Sequence, residues 1–503
     1  MSGANDDDWR HEGWIAVAFA AGLFVVNLLT VSGHPPFEHD SVLLSDAGVN
    51  LALGHGFTAT AWPGQAADEL FSGNLPLYPL ALAAWLKLWG FGMLQMRAFT
   101  FLCGSSGALL FWFALKRTGW LRQPEWRLAA MPTAFLAQPL ASAYRLNRYD
   151  SFQMMLSCVL LAVWVSDLRP KRKAGALALV SVAVSLAGLQ AAAYAGCLAG
   201  LALLWNWRAW REFAPVFAGL AAGAFGILLF YWEMGVLQGL FANVTWGQQL
   251  DPKISAFGFS WRSRLVYDFV PDLATACLLA AVTIPLTQAQ VRQNRGVTRD
   301  ALLAWGVNFA IMITVEIAIH FGRYYRWMTT LPLTLFAFRV WATAAPLLSP
   351  LRRRATAAAL FATAALGLPA WLIGTWLLLP YDTEWRAFDR LAAKHLLPGD
   401  VVFAEFPAYF AVKARVAQSY FPGYLERMTP AERAAVNVLV VRTHPEPNFY
   451  WLKNGDFVSA FSGNGAQWAK VDEVPAMRTK LTALLARWFP EAGRAAGTAI
   501  EPL

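Results

Sequence analysis

Apolar stretches with almost no charge recur along this chain at intervals that set its architecture. The first runs from Trp14 to Ser32, and others fall near residues 94–115, 127–143, 151–167, 174–188, 189–205, 212–232, 270–287, 301–319, 327–345 and 355–379. A helix needs about 20 such residues to cross a hydrocarbon core, so the pattern predicts about eleven membrane-spanning helices. Leu77–Trp89 is apolar too, but it is only about a dozen residues long and is opened by Pro76 and Pro79. It predicts a helix lying at the membrane interface, within a first outer loop over 33–93. After 379 the pattern changes. A helical stretch at Glu384–Leu397 is followed by strand-like runs at Asp400–Ala404 and Val436–Val441, and by a closing helix near Met477–Phe489. Alternating helix and strand predicts a soluble α/β domain over 380–503, beside a transmembrane domain over 1–379.

Composition agrees. Of 503 residues 57% are hydrophobic and only 15% charged, which excludes a soluble enzyme, a disordered chain and a small disulfide scaffold. Cys103, Cys158, Cys197 and Cys277 all sit inside apolar runs and read as core residues. The run Trp14–Ser32 follows Asp6-Asp7-Asp8 and a single Arg10, the pattern of a retained helix and not of a cleaved signal. The net charge of +9 points to no nucleic acid, because the basic excess is confined to the membrane part. Through Tyr381 there are 27 basic and 19 acidic residues, and beyond it 14 and 13. Alternate loops hold 17 of those basic residues, including Arg169, Lys171, Arg172, Lys173 and the run Arg352-Arg353-Arg354; the opposite loops hold 8. The asymmetry places the N-terminus in the cytoplasm. The first loop, Arg145–Asp150, loop 233–269, His320–Arg326 and the tail then share the outer side.

Most polar groups able to do chemistry collect there. The first loop carries Glu38, His39, Asp40, Asp46 and His55. Carboxylate and imidazole together suit a divalent metal such as Mg or Mn, although their spacing matches no metal motif. Glu316, His320 and Arg323, at i, i+4 and i+7, share one helix face, so that Glu316 can orient Arg323. Plainer readings stand beside these. Asp40 and Asp150 suit helix caps, and Arg323 and Arg326 suit headgroup anchors.

The order of motifs resembles the GT-C membrane glycosyltransferases, in the branch with the lipid A aminoarabinose transferases and protein mannosyltransferases. The resemblance is carried by Asp40 just after the first span and by Gly54-His55-Gly56-Phe57 about fourteen residues on. Pro76-Leu77-Tyr78-Pro79, Arg148-Tyr149-Asp150 and His320-Phe321-Gly322-Arg323-Tyr324 with Leu331-Pro332 continue it. It implies a GT-C fold and a bacterial inner-membrane enzyme that moves a sugar, hexosyl or pentosyl, from a polyprenyl-phosphate carrier to a lipid, polysaccharide or protein acceptor. It further implies Asp40 as general base, Asp150 as the second acidic position, and Arg323 and Tyr324, with His320 and Arg326 nearby, at the lipid phosphate. Glu316, Asp46, Glu38, His55 and Tyr78 are supporting candidates. The chain departs from the family pattern at Ser41, Leu44 and Leu75-Pro76, and these departures leave Asp46 and Glu38 as rival bases. No cofactor is implied with certainty, and a divalent metal stays open.

The chemistry suits those residue types. A sugar on a lipid phosphate already has a good leaving group, so the reaction needs a base for the acceptor hydroxyl and a cation for the charge building on phosphate. Arginine grips phosphate oxygens with a fork that stays charged. Two other classes remain: a transporter or lipid-linked glycan flippase, which would hold its ionisable groups near the midplane on broken helices, and a non-catalytic sugar-binding or assembly protein.

Overall fold

The computed structural model of the chain describes residues 6–31, 39–249, 272–319, 323–378, 385–406, 408–416, 418–442, 449–453 and 469–474. The described chain is mostly helical. Among the described residues three helices are long and apolar enough to cross a membrane: α1 (Asp6–Leu29), from His11 onward, α4 (Met93–Thr118) and α10 (Trp210–Glu233). A bent pair, α16 (Pro350–Ala365) with α17 (Leu368–Leu378), makes a fourth if it counts as one span. This is the make-up of a helical membrane protein, with fewer full-length spans among the described residues than the eleven apolar runs.

The difference arises because several runs are shorter or broken. The run at 127–143 divides into α5 (Pro124–Phe135) and α6 (Gln138–Arg145), with Pro132 and Pro139 near the break. The run at 355–379 divides at Gly367, with a bend of 50°. These two breaks meet. The Leu368 N–H donates to the Leu136 carbonyl (2.6 Å), and a Cβ on Gly367 would lie 1.9 Å from that oxygen. Only glycine fits there.

The other helices are α7 (Asp150–Trp164), α8 (Pro170–Ala187), α9 (Leu189–Trp205), α11 (Leu237–Gln249), α12 (Leu273–Thr283), α13 (Ala289–Gln293), α14 (Arg295–Ile319) and α15 (Trp327–Ala344). Ion pairs sort their ends into two groups. At one end Glu12 of α1 accepts from Arg127 of α5 (2.7 and 2.8 Å) and pairs with Lys116 of α4 (3.0 Å). Arg117 pairs with Asp167 just past α7, and Arg339 of α15 with Asp300 of α14 (3.0 Å). These pairs tie the start of α1 to the connections around 116–127 and 167, and α14 to α15.

At the opposite end α2 (His39–Leu53) and α3 (Leu77–Trp89) fill the first loop, and α3 matches the short helix expected there. Gly54 (φ 89°) and Gly56 (φ 83°) take left-handed conformations, so the Gly-x-Gly-Phe motif is the device that stops α2. Pro76 caps α3, a position where its missing N–H costs nothing. Gly48 lets the two helices touch, since a Cβ there would lie 2.7 Å from the Pro79 carbonyl.

The tail forms a five-stranded sheet in the order β2-β1-β3-β4-β5. The strands are β1 (Val401–Ala404), β2 (Gln418–Tyr420), β3 (Val438–Arg442), β4 (Phe449–Lys453) and β5 (Ala469–Val474), with helices α18 (Trp385–His395), α19 (Tyr409–Lys413) and α20 (Pro430–Ala435). β1 runs parallel to β2 and β3, whereas β3–β4 and β4–β5 are antiparallel. The helix and two strands expected near 384–397, 400–404 and 436–441 are present, and the helix expected at 477–489 lies outside the described residues. Alternate strand residues face opposite ways. Val402, Ala404, Val438 and Val440 join the same apolar core as the helices, and Phe403, Tyr420 and Leu439 form a second cluster with Tyr424 and Met428. The tail therefore packs directly onto the first loop. The Phe421 N–H donates to the Thr60 carbonyl (3.4 Å), the Ala67 N–H to the Tyr424 hydroxyl (3.0 Å) and Arg427 Nε to the Pro63 carbonyl (3.1 Å).

Candidate active site

Asp40 stands in the first turn of α2, where the helix dipole favours negative charge. Its carboxylate is 42% exposed, and its Oδ2 accepts from Arg148 Nη1 at 2.7 Å. Arg148 Nε donates to Asp150 Oδ2 at 3.0 Å. One guanidinium therefore joins the two acidic positions. Arg148 and Asp150 are almost wholly buried, with side chains 3% and 2% exposed, so Asp40 alone of the three opens to solvent. The second oxygen of Asp150, Oδ1, accepts no hydrogen bond among the described residues.

The segment carrying Arg148 is held from below. Arg145 donates to Asn27 Oδ1 (2.7 Å) and to Thr30 Oγ1 (3.0 Å) at the end of α1. Asn147 Nδ2 donates to Ser45 Oγ (2.7 Å) on α2, and the Ser45 hydroxyl approaches the Tyr78 hydroxyl (3.4 Å). Tyr78 is buried, edge-on to the Tyr149 ring at 6.4 Å, and supports the segment from inside.

A second arm reaches the same place. Residues 323–326 form a 3-10 turn that packs on α6 and leads into α15. The Tyr325 and Tyr149 hydroxyls are 2.7 Å apart, and Gln190 Nε2, from the start of α9, donates to both at 2.8 and 3.1 Å. Since Tyr149 lies between Arg148 and Asp150 in sequence, the turn is bonded directly beside the acidic pair. Arg323 and Tyr324 open that turn and Glu316 lies near the end of α14; their side chains, with Glu38, the His39 side chain and His320, lie outside the described residues. Arg326 is buried and donates to Asp272 Oδ2 (3.2 Å). Asp272 in turn caps α12 through the Thr275 N–H (2.9 Å). Arg326 thus ties the turn to a neighbouring helix.

Asp46 is placed differently from Asp40. Fully buried, it accepts from the Thr60 N–H (2.8 Å), the Ala61 N–H (3.0 Å), the Tyr409 hydroxyl (2.9 Å) and the Lys413 ammonium. Burial pushes the Lys413 ammonium below the usual lysine range and the Asp46 carboxylate opposes it; burial also pushes the Tyr409 phenol well above the usual range. Neither tail residue stood out in the sequence, where Lys413 is one charge among the 27 that follow Tyr381.

The metal grouping of Glu38, His39, Asp40 and His55 is corrected by the length of α2. Asp40 is at its start and His55, exposed, just past its end, about 20 Å apart at 1.5 Å per residue. Among the described residues no three His, Cys, Asp or Glu come together as metal ligands. Between Asp40 and Asp150, the space a bridging cation would need is taken by Arg148. Among the described residues, His55 therefore does not join Asp40 as a ligand, and the side chains of Glu38 and His39 lie outside them.

The solved structures similar to this chain include two that cover most of its length. Both are of ArnT from Cupriavidus metallidurans. The one bound to undecaprenyl phosphate has a TM-score of 0.46 and 16% identity, covering 81% of this chain and 86% of that chain. The apo-state structure has a TM-score of 0.44 and 16% identity, covering 83% and 88%. No family model matches the chain, and no curated protein matches it.

Proposed function

We propose that the protein is a membrane glycosyltransferase of GT-C type that moves a sugar from a polyprenyl-phosphate carrier to an acceptor at the outer face of the cytoplasmic membrane. The observation that carries this reading is the meeting of two arms. A half-exposed carboxylate, Asp40, and the turn 323–326 come together through Arg148, Tyr149 and Tyr325 at one end of an apolar bundle. A lipid-borne sugar phosphate would present its reacting carbon at such a boundary.

In this mechanism Asp40 takes the proton of the acceptor hydroxyl as that oxygen attacks the anomeric carbon. The bond from that carbon to the phosphate oxygen breaks, and the lipid phosphate leaves with the electron pair. Arginine in the turn, Arg323, steadies the charge that builds there. Asp150, buried behind Arg148, is a positioning residue that holds the guanidinium against Asp40. Asp46, saturated by four donors, is a structural tie and leaves the base role to Asp40. The eleven-span arrangement, with N-terminus inside, tail outside and a domain boundary near 379, belongs to the same reading. The grouping of basic-loop residues at the end opposite Asp40 supports it.

The test is sugar release by purified protein in lipid nanodiscs, against a panel of polyprenyl-phosphate sugars. Asp40→Asn should lower turnover by about 10²–10⁴-fold, the usual contribution of a general base, with carrier binding retained. Unchanged turnover in that variant would remove Asp40 as base, and no turnover of any donor by the native protein would remove the reading.

A further inference from the structure

The two phenols and one amide at the centre of the site do not balance their hydrogens. A phenol has one proton to give and can accept twice, while an amide nitrogen has two protons. Gln190 gives one proton to each of Tyr149 and Tyr325, and the 2.7 Å contact between the phenols uses one O–H. The phenol that accepts this O–H has then received two hydrogen bonds, and its own O–H has no acceptor among the described residues. Both rings are nearly buried, Tyr149 at 5% and Tyr325 at 9% exposure, so water serves that proton poorly. The Arg148 guanidinium lies 5.9 Å from the Tyr149 ring, which puts the spare donor beside the Asp40–Arg148–Asp150 relay.

Gln190 is held where this arrangement requires it. It is the second residue of α9, just after the Gly188 break between α8 and α9. The break is pinned by Gln153 of α7, whose amide donates to the Ala187 carbonyl (3.1 Å). Gly188 admits that side chain, since a Cβ there would fall 1.8 Å from Gln153 Nε2.

From this geometry we infer that Gln190 is a positioning residue: its amide fills one acceptor site on each phenol and so forces one tyrosine O–H to point at an oxygen of the bound sugar-phosphate donor. The inference rests on the proposed transferase reading and adds to it a neutral donor working with the arginines. The receiving oxygen belongs either to the phosphate or to a sugar hydroxyl, and both accept from a phenol in the same way.

Replacement of the amide by a carboxylate is the decisive change, because Gln190→Glu turns a group that gives two protons into one that takes them. The spare O–H would then be captured by the protein itself. Binding of a polyprenyl phosphate, without and with a sugar, is measured in nanodiscs, together with donor KM, acceptor KM and kcat. Gln190→Ala should weaken donor binding about five- to tenfold, as expected for one neutral hydrogen bond, and Gln190→Glu about 100-fold, with acceptor KM unchanged. Weakening seen for the bare lipid phosphate assigns the oxygen to phosphate; weakening only with the sugar attached assigns it to a hydroxyl. In a Tyr149→Phe/Tyr325→Phe background Gln190→Glu should add nothing, because no O–H remains to capture. An equal added loss there would mean charge repulsion and would overturn the inference, as would a Gln190→Glu protein that binds donor normally. Failure of the native protein to bind any polyprenyl phosphate would instead overturn the transferase reading.

Discussion

Lys413, on a short helix of the tail, delivers its ammonium to the buried carboxylate of Asp46, 367 residues earlier in the chain. Asp46 lies on α2 six residues after Asp40, so the tail grips the element that carries the proposed base. The Thr60 hydroxyl, which meets both the Lys413 ammonium (3.0 Å) and the Tyr409 phenol (2.8 Å), closes the knot from the first loop.

Removal of one partner from a buried pair costs about 3–5 kcal/mol, because the other charge stays behind without compensation. Lys413→Met should therefore lower the apparent Tm markedly in detergent or nanodiscs. Lys413→Met/Asp46→Asn should recover a good part of the loss, since it strands no charge. A double variant no better than the single one would show that the ammonium acts only through packing.

The mated helix breaks make a second prediction. A methyl group on Gly367 collides with the backbone of residues 136–138, which has little room to yield. Gly367→Ala should be destabilising by about 1–3 kcal/mol, the usual cost of overpacking. Gly374, on the helix that follows the break and with nothing within 4 Å of its added Cβ, is the control. Gly374→Ala should be neutral or stabilising by about 0.5–1 kcal/mol. Thermal unfolding of the two variants in parallel checks both.

How much of this was legible beforehand depended on the range of the signal. α3 matches the short run Leu77–Trp89 residue for residue, because two prolines and an apolar dozen are a local message. The end of α2 at Gly54 was equally local. The breaks at Leu136 and Gly367 were not, since each is explained by the other across 231 positions of chain. β4 and β5 were missed because Phe449–Lys453 and Ala469–Val474 alternate too briefly to stand out. At the site, Asp40, Asp150 and the 323–326 turn could be picked from motif order. Arg148 as the link between two carboxylates, Gln190 beneath two phenols and Lys413 on Asp46 depend on contacts that no spacing encodes. His55 shows the reverse error, being near Asp40 in sequence and a helix length away in space.

The acid response of the tail follows from Asp400. Burial opposes its ionisation, but the Leu397 N–H, the Asn437 amide and the Lys453 ammonium outweigh that, and its pKa lies below the ordinary aspartate range. A carboxylate lowered in the folded state binds fewer protons there than in the unfolded chain. Its stabilisation is complete above about pH 4, the unfolded aspartate value, and is lost as pH falls through the lower folded value. Asp400→Asn should be less stable than the native protein at pH 7 and flatter in its acid unfolding below about pH 4. Parallel acid dependence in the two proteins would assign the effect elsewhere.

Sidedness can be read with exposed positions at each end of the bundle. In a background with the four native cysteines replaced by serine, single cysteines at Glu69 and Glu426 should react with a membrane-impermeant thiol reagent added to intact cells. One at Arg172 should react only after lysis. Labelling of Arg172→Cys in intact cells would invert the orientation, and protection of either outer position would break the assignment of loop and tail to one face.

The Lys413–Asp46 tie also sets a schedule for maturation. Ribosomal synthesis makes α2 early and α19 late, so Asp46 lacks its ammonium partner until the chain has been made as far as Lys413. A truncated or stalled product would carry Asp40 on an unanchored helix. Docking of α19 is then the event that completes the burial of Asp46 and fixes the helix on which Asp40 stands.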